Sequence, residues 1–149
     1  MKTDAINENN ETTLSGEYYF AKGIPAFEKL KKFYFQRHNE YFSLMVSIED
    51  SEKSFIIVNP FDFVENYEFE LSEEHLNELG ITCQKEITVY SIVTWHSDPS
   101  KITLNLLAPL VINRENRKGK QIVLQNTAYT TRHRLWTNDE LATNEGGGQ

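Results

Sequence analysis

Asn105-Leu106-Leu107-Ala108-Pro109-Leu110-Val111-Ile112-Asn113-Arg114-Glu115-Asn116-Arg117-Lys118-Gly119-Lys120-Gln121-Ile122-Val123-Leu124 is the stretch whose reading decides the fold. It is two apolar β segments around a charged turn. Pro109 has no N–H, which suits the start or the edge of a strand rather than its middle. Leu110, Val111 and Ile112 form an apolar run of strand length. Asn113 to Gly119 is the expected turn, with Gly119 the residue best able to take a positive φ. Lys120 to Leu124 is the expected return strand.

Outward from this hairpin the chain continues in strand-like periods. Phe33 to Arg37 is aromatic and β-prone. Tyr41 to Ile48 sets Phe42, Leu44, Val46 and Ile48 on one face and Tyr41, Ser43, Met45 and Ser47 on the other. Phe55 to Val58 is an apolar run that Pro60 ends. Tyr67-Glu68-Phe69-Glu70-Leu71 alternates strictly, with the aromatics expected inside and both carboxylates outside. Glu86 to Trp95 is apolar on both faces, as a central strand must be. The His96–Ser100 turn then leads into Ile102, Leu104 and Leu106 on one face.

One helix is expected from Ser72 to Leu79. Ser72 is a good N-cap, Glu73 and Glu74 complement the positive end of the helix dipole, and Gly80 fits the left-handed position after the end. Ile81 would fold back on Leu76. A second short helix is expected to begin at Pro25 and to turn Phe27 and Leu30 inward. Many strands, short turns and little helix predict a mainly β protein, an antiparallel β-barrel-like single domain with one or two short helices. The expected organisation is a flexible segment at 1–15, the barrel at 16–137 and a flexible tail at 138–149. The closing Glu-Gly-Gly-Gly-Gln reads as a linker-like end, native or added.

The 149 residues carry a net charge of −7. It is unevenly spread: residues 1–80 hold 7 Lys/Arg against 16 Asp/Glu, a net −9, and residues 81–149 hold 8 against 6, a net +2. An acidic first half leaves room for a face that attracts a basic partner. The single cysteine, Cys83, excludes an internal disulfide and reads as a small hydrophobe, buried or half-buried. Met1 to Ser15 is polar and has no apolar run, so neither a signal peptide nor a membrane span is expected, and a cytoplasmic protein is.

No catalytic constellation emerges. His38, His75, His96 and His133 fall in separate elements, and no His-Glu-x-x-His or Cys-x-x-Cys occurs. His96 and Asp98 read as a turn with an Asp-Pro rather than as metal ligands. Glu68 and Glu70 share one face of one segment, whereas working carboxylate pairs face each other across a cleft. There is no phosphate loop and no Gly-x-Ser-x-Gly elbow. The sequence therefore predicts no enzyme, no metal and no cofactor. A basic cluster of Arg114, Arg117, Lys118 and Lys120 remains, with Arg132 and Arg134 near Tyr129 and Trp136. It supports an alternative, a small β-barrel RNA-binding module that uses the Arg114–Lys120 hairpin. The net charge argues against it, since a nucleic-acid footprint needs a basic domain or stripe.

Four short motifs in order carry a family resemblance. Leu107-Ala108-Pro109-Leu110-Val111-Ile112-Asn113 followed by Asn116-Arg117-Lys118-Gly119-Lys120-Gln121 resembles the signature of the bacterial flagellar assembly factor FliW family. Gly23-Ile24-Pro25-Ala26-Phe27 is similar to that family's Gly-Leu-Pro-Gly-Phe, with Ala26 in place of glycine. Val58-Asn59-Pro60-Phe61 matches its Asn-Pro-Phe. Tyr129-Thr130-Thr131-Arg132-His133 resembles its closing motif, with Arg134 where proline is usual. The resemblance spans roughly residues 17 to 136.

It implies a β-barrel-like fold and a protein that works by binding. Its partners would be flagellin, bound in a chaperone-like way, and the translational regulator CsrA, whose repression of flagellin synthesis it would antagonise. No direct nucleic-acid or membrane partner is implied. Candidate contact residues are Glu68 and Glu70, exposed by alternation, together with Asn59, Asn113, Asn116, Arg117 and Lys118 within the matched motifs. The asparagines also read as turn-shaping residues.

Overall fold

A computed structural model describes residues 5–9 and 13–136. Its strands are β1 (Gly16–Tyr19), β2 (Lys32–Arg37), β3 (Phe42–Ser47), β4 (Ser54–Val58), β5 (Ile87–Thr94), β6 (Thr103–Leu104), β7 (Leu110–Asn113), β8 (Lys118–Gln121) and β9 (His133–Arg134), with one α-helix, α1 (Glu73–Leu79). The sheet order is β4-β3-β2-β1-β8-β7-β5-β6-β9, and β4 also pairs with β5. That extra pairing closes the first seven strands of the order into a barrel, the mainly β fold expected. The pairs are antiparallel except at the join of β1 and β8, which is parallel at Tyr19 and Lys118.

The barrel interior is built of aromatics. Phe20, Phe33 and Phe35 are fully buried with Tyr18, Met45, Tyr90, Leu110 and Ile112. Phe20 meets Phe33 edge-on at 5.4 Å and stacks on Phe35 at 6.3 Å. A second core lies outside the barrel wall, where α1, residues 59–71 and the segment after β5 cover the outer faces of β5 and β7. Strand β5 feeds both cores, Tyr90 inward and Ile87, Val89 and Val93 outward. This is why it is apolar on both faces.

On β3 the buried side is Ser43, Met45 and Ser47, while Phe42, Leu44 and Val46 are half-buried. The reason lies across the strand. Phe33 stands opposite Ser47 and Phe35 opposite Met45, so the rings of β2 fill the interior and β3 supplies small or pliable partners. Gly119 also differs from expectation. The positive φ of the hairpin belongs to Arg117, at 60°. Gly119 lies in β8 opposite Ile112, and a Cβ there would come within 2.5 Å of the Phe20 ring.

Helix α1 has the expected ends. The Ser72 hydroxyl accepts the His75 N–H at 3.4 Å, Gly80 takes φ 64°, and the Ile81 N–H reaches the Leu76 carbonyl at 2.9 Å in a Schellman closure. The second helix does not form. Residues 24–27 make a tight turn in which the Phe27 N–H bonds the Ile24 carbonyl at 2.7 Å, and Ala26 sits at φ 74°. Proline followed by a positive φ is the chemistry of a type II turn, whose third position favours glycine. We therefore expect Ala26→Gly to stabilise the protein. Relief of a left-handed alanine is worth about 1–2 kcal/mol, partly offset by the greater freedom of glycine in the unfolded chain, for a net gain of about 0.5–1 kcal/mol. A urea midpoint that does not rise would show that the turn carries no such strain.

Three further expectations need correction. Residues 1–15 are not a free segment where they are described. Ile6 and Leu14 are buried, and Ile6 pairs with Phe69 through hydrogen bonds of 2.7 and 3.2 Å. Tyr67–Leu71 has the expected alternation but is not the half-buried strand its pattern predicts: among the described residues it forms one isolated bridge, from Phe69 to Ile6 of this N-terminal segment. Cys83 is exposed, because it opens a tight turn whose N–H groups are collected by the Glu86 carboxylate. The expected tail at 138–149 lies outside the described residues.

Candidate functional site

The acidic segment is held from below. Tyr67, Phe69 and Leu71 are buried, and the Tyr67 hydroxyl donates to the Leu106 carbonyl at 2.7 Å. Its ring packs edge-on to Tyr129 at 4.7 Å and tilts against Phe61 and Phe69, both at 5.6 Å. Burial pushes the Tyr67 phenol well above its ordinary pKa, so it remains a donor at physiological pH. Glu68 and Glu70 project outward between these anchors. The Tyr129 hydroxyl bonds both the N–H and the carbonyl of Glu68, each at 3.1 Å, and fixes the backbone there.

Glu68 stands on a ridge between two grooves. One, about 580 Å³, runs between Glu68–Ser72 and residues 122–127, with His75 at its wall. The other, about 490 Å³, is lined by Glu8, Glu65 and Asn66 on the far side. Val123 opens into the first groove and is 51% exposed. Neither Tyr129 nor Val123 was singled out from the sequence as a site residue. Tyr129 lies in the closing motif and beside the Arg132 and Arg134 cluster, the two signals that pointed to it.

The asparagines serve the fold. Asn59 caps the tight turn after β4, accepting the Phe61 N–H at 3.1 Å and the Asn9 amide at 2.9 Å. Asn113 is buried in the hairpin and donates to the Leu79 and Gly80 carbonyls at 2.9 and 3.3 Å, while its oxygen accepts the Glu115 N–H at 2.9 Å. Asn116 adds a second donor to the Leu79 carbonyl at 2.8 Å. The two residues therefore satisfy carbonyls that the end of α1 leaves unpaired. They link the hairpin to the helix.

The basic hairpin is engaged in the same way. The Arg117 guanidinium lies 4.3 Å over the Tyr18 ring and donates to the Glu17 and Ser15 carbonyls at 2.9 and 2.8 Å. Arg114 bonds the Ile87 carbonyl at 3.0 Å, the Thr88 hydroxyl at 2.8 Å and the Lys85 carbonyl. Lys120 pairs with Glu78 at 2.8 Å, and Glu78 also meets Lys22 at 3.3 Å. Hydrogen bonding from Lys120 holds the Glu78 carboxyl below its usual range. Burial, with the Lys120 ammonium 3.1 Å from its Nδ1, pushes His75 down and keeps it a neutral acceptor. Lys118 is exposed on the same hairpin. The structure thus separates the candidates: Glu68 and Glu70 share one exposed ridge, and Asn113, Asn116, Arg117 and Lys118 lie on the hairpin beyond α1.

At the His96–Ser100 turn, Nδ1 of His96 accepts the Asp98 N–H at 2.9 Å and Asp98 caps Ser100 at 3.0 Å. Among the described residues no group of three or more His, Cys, Asp or Glu is disposed to hold a metal ion. No helix of the described residues is long and apolar enough to cross a membrane.

Comparison with known proteins gives a consistent result. The family described as FliW protein matches residues 2–135. A flagellar assembly factor FliW of Clostridium novyi (strain NT) is 41% identical over 119 residues, 78% of this chain and 83% of that protein. One from Clostridium botulinum (strain Alaska E43 / Type E3) is 39% identical over 132 residues, 87% and 94% of the two chains. A crystal structure of the flagellar assembly factor FliW superposes with a TM-score of 0.80 at 32% identity, covering 91% of this chain and 99% of that one.

Proposed function

Because this chain belongs to the FliW family of flagellar assembly factors, we propose that it works in the cytoplasm by binding flagellin and the translational regulator CsrA, without catalysis. Free factor restrains CsrA from repressing flagellin synthesis, and flagellin competes the factor away. Such a switch needs only coupled binding equilibria in which each partner lowers the affinity of the other. The observation that carries this reading is the acidic ridge. Glu68 and Glu70 project from a segment locked by Tyr67, Phe69, Leu71 and the Tyr129 hydroxyl. A regulator that binds RNA presents a basic surface, and a rigid pair of carboxylates steers it.

Direct RNA binding by the hairpin has less to support it, since Arg114, Arg117 and Lys120 are engaged internally. Reversal of both carboxylates, Glu68→Lys with Glu70→Lys, should leave the fold nearly unchanged, because exposed charges contribute about 0–1 kcal/mol. At a steered interface the same change adds repulsion. CsrA affinity should fall at least about tenfold, roughly 1.4 kcal/mol, mainly through a slower on-rate. The loss should shrink at high salt, where the screening length falls to about 3 Å at 1 M. Surface plasmon resonance against purified CsrA at two salt concentrations measures this, with labelled RNA as the parallel analyte. Equal low-salt affinities of wild type and double variant would remove the ridge from the CsrA contact.

A further inference from the structure

We propose that the groove between Glu68–Glu70 and residues 122–125 receives an extended basic peptide as an added β-strand. The argument starts from the backbone of the strand that follows the hairpin. Lys118 pairs with Asn113 and Lys120 with Val111, and beyond them the Ile122 and Leu124 N–H groups reach the Pro109 and Leu107 carbonyls at 2.9 and 2.8 Å. Even-numbered residues therefore bond toward 107–113. By the pleat, the backbone groups of Val123 face the opposite way, toward the groove that Val123 lines. Among the described residues the Val123 N–H has no partner, and the Val123 carbonyl meets only the Gln125 side-chain amide at 3.4 Å.

The opposite rim has the matching arrangement. Phe69 exchanges both of its backbone bonds with Ile6, so the backbone of Glu68 and Glu70 faces away from Ile6. At Glu68 the Tyr129 hydroxyl stands where a strand's amide and carbonyl would be, and closes that end. At Glu70 the backbone N–H and carbonyl have no partner among the described residues. Two extended segments thus border about 580 Å³ of open space, each offering main-chain groups toward it. This is the arrangement that strand addition uses: main-chain bonds supply affinity and alternate side chains supply selectivity.

The side chains define the occupant. Phe69, Ile122 and Leu124 point into the core and form an apolar floor, whereas Glu68, Glu70 and Val123 point outward. An inserted strand would place alternate residues on the floor and the others beside the two carboxylates, with Glu65 and Glu8 on the next groove. The hairpin cation against His75 at the groove wall, Lys120, is held by Glu78, a carboxylate it shares with Lys22. Apolar residues alternating with Lys or Arg fit both requirements, since opposite charges on neighbouring strands attract and like charges repel. A helix would satisfy its own backbone and leave both rims unbonded.

The test uses the full 15N-labelled chain and the peptide acetyl-Lys-Val-Lys-Val-Lys-Val-amide, with a Glu-Val repeat as control. Saturable binding of the Lys-Val peptide is expected, with NMR shifts concentrated at 68–70 and 121–127 and slower amide exchange at Glu70 and Val123. Val123→Pro removes a donor that makes no internal bond and should weaken binding at least tenfold while circular dichroism stays unchanged. Should that variant fail to fold, N-methylation of alternate peptide residues makes the same cut from the ligand side and should lower affinity equally. Undiminished binding of the N-methylated peptide, equal binding of the Glu-Val control, or shifts away from the groove would overturn the proposal. So would a concentration-dependent dimer sealed through the same amides, which would make a second copy the occupant. CsrA binding is not read in this experiment, so loss of the regulator contact and loss of the peptide site register separately.

Discussion

Replacing Gly119 by alanine should destabilise the protein by about 2 kcal/mol, and by valine at or above about 3 kcal/mol, for a reason that lies just past the end of β1. A Cβ on Gly119 would lie 2.5, 2.8 and 2.9 Å from three ring carbons of Phe20. Phe20 is 0% exposed and cannot swing away, because Phe33 meets it edge-on and Phe35 stacks against it. The glycine has no positive φ to defend, so its backbone freedom does not enter. Alanine would even gain slightly by stiffening the unfolded chain, by about 0.4–1 kcal/mol, and the overpacking must exceed that gain. For a chain of this size 1 kcal/mol moves Tm by roughly 2–4 °C, so Gly119→Ala should melt several degrees lower. The double variant Gly119→Ala with Phe20→Leu tests the cause. If the clash is the mechanism, the two losses are strongly non-additive, since the smaller leucine vacates the space the Cβ needs. Simple additivity would place the glycine's role elsewhere.

What the sequence revealed and what it hid divide along one physical line. Effects that act within a few residues were legible. Ser72 and Gly80 mark the ends of α1 because caps act on adjacent amides, and the alternation of Ile102, Leu104 and Leu106 is imposed by the pleat itself. The family motifs were legible for the same reason, being local strings. Choices made by a distant partner were not. Which face of β3 goes inward depends on the phenylalanines of β2, and no inspection of Phe42–Ser47 alone reveals it. Gly119 reads as a turn glycine until Phe20, ninety-nine positions earlier, is placed against it. Asn113 and Asn116 were legible as shapers of structure, but their targets, the carbonyls ending α1, come from another element. The candidate site divides likewise. Alternation exposed Glu68 and Glu70, whereas the groove beside them exists only because the chain returns at 121–127. Arg114, Arg117 and Lys120 read as a basic patch since sequence counts charges and not their partners.

Deletion of residues 1–9 should cost at least about 2 kcal/mol, although that stretch reads as a polar end with little to anchor. Two residues make the difference. Ile6 is 1% exposed in the outer core beside Tyr67, Phe69 and Leu71, and removing a buried isoleucine side chain typically costs about 2–5 kcal/mol. Asn9 does something a core residue cannot. Its oxygen accepts the Val89 N–H at 2.8 Å and its amide donates to the Val89 carbonyl at 2.9 Å and to Asn59 at 2.9 Å. Strand β4 begins to pair with β5 only at Ser91, so Val89 has no strand on that side. The Asn9 side chain stands in for one. Without it a buried N–H and carbonyl lose their partners, at about 1–3 kcal/mol for each group left unsatisfied. Ordering the segment opposes these gains by about 1–2 kcal/mol per residue, which is why the net loss is smaller than the gross one. Chemical denaturation of the truncated chain, with Ile6→Ala and Asn9→Ala measured separately, apportions the effect. Both single variants should be destabilised, and the truncation should also loosen the Glu68–Glu70 ridge, because Phe69 loses the strand partner that holds it. On the proposed contact of the ridge with CsrA, affinity for CsrA should then fall in the truncated chain without any change to a carboxylate. Unchanged stability on truncation would mean that Tyr67–Leu71 is held by Leu106 and Tyr129 alone.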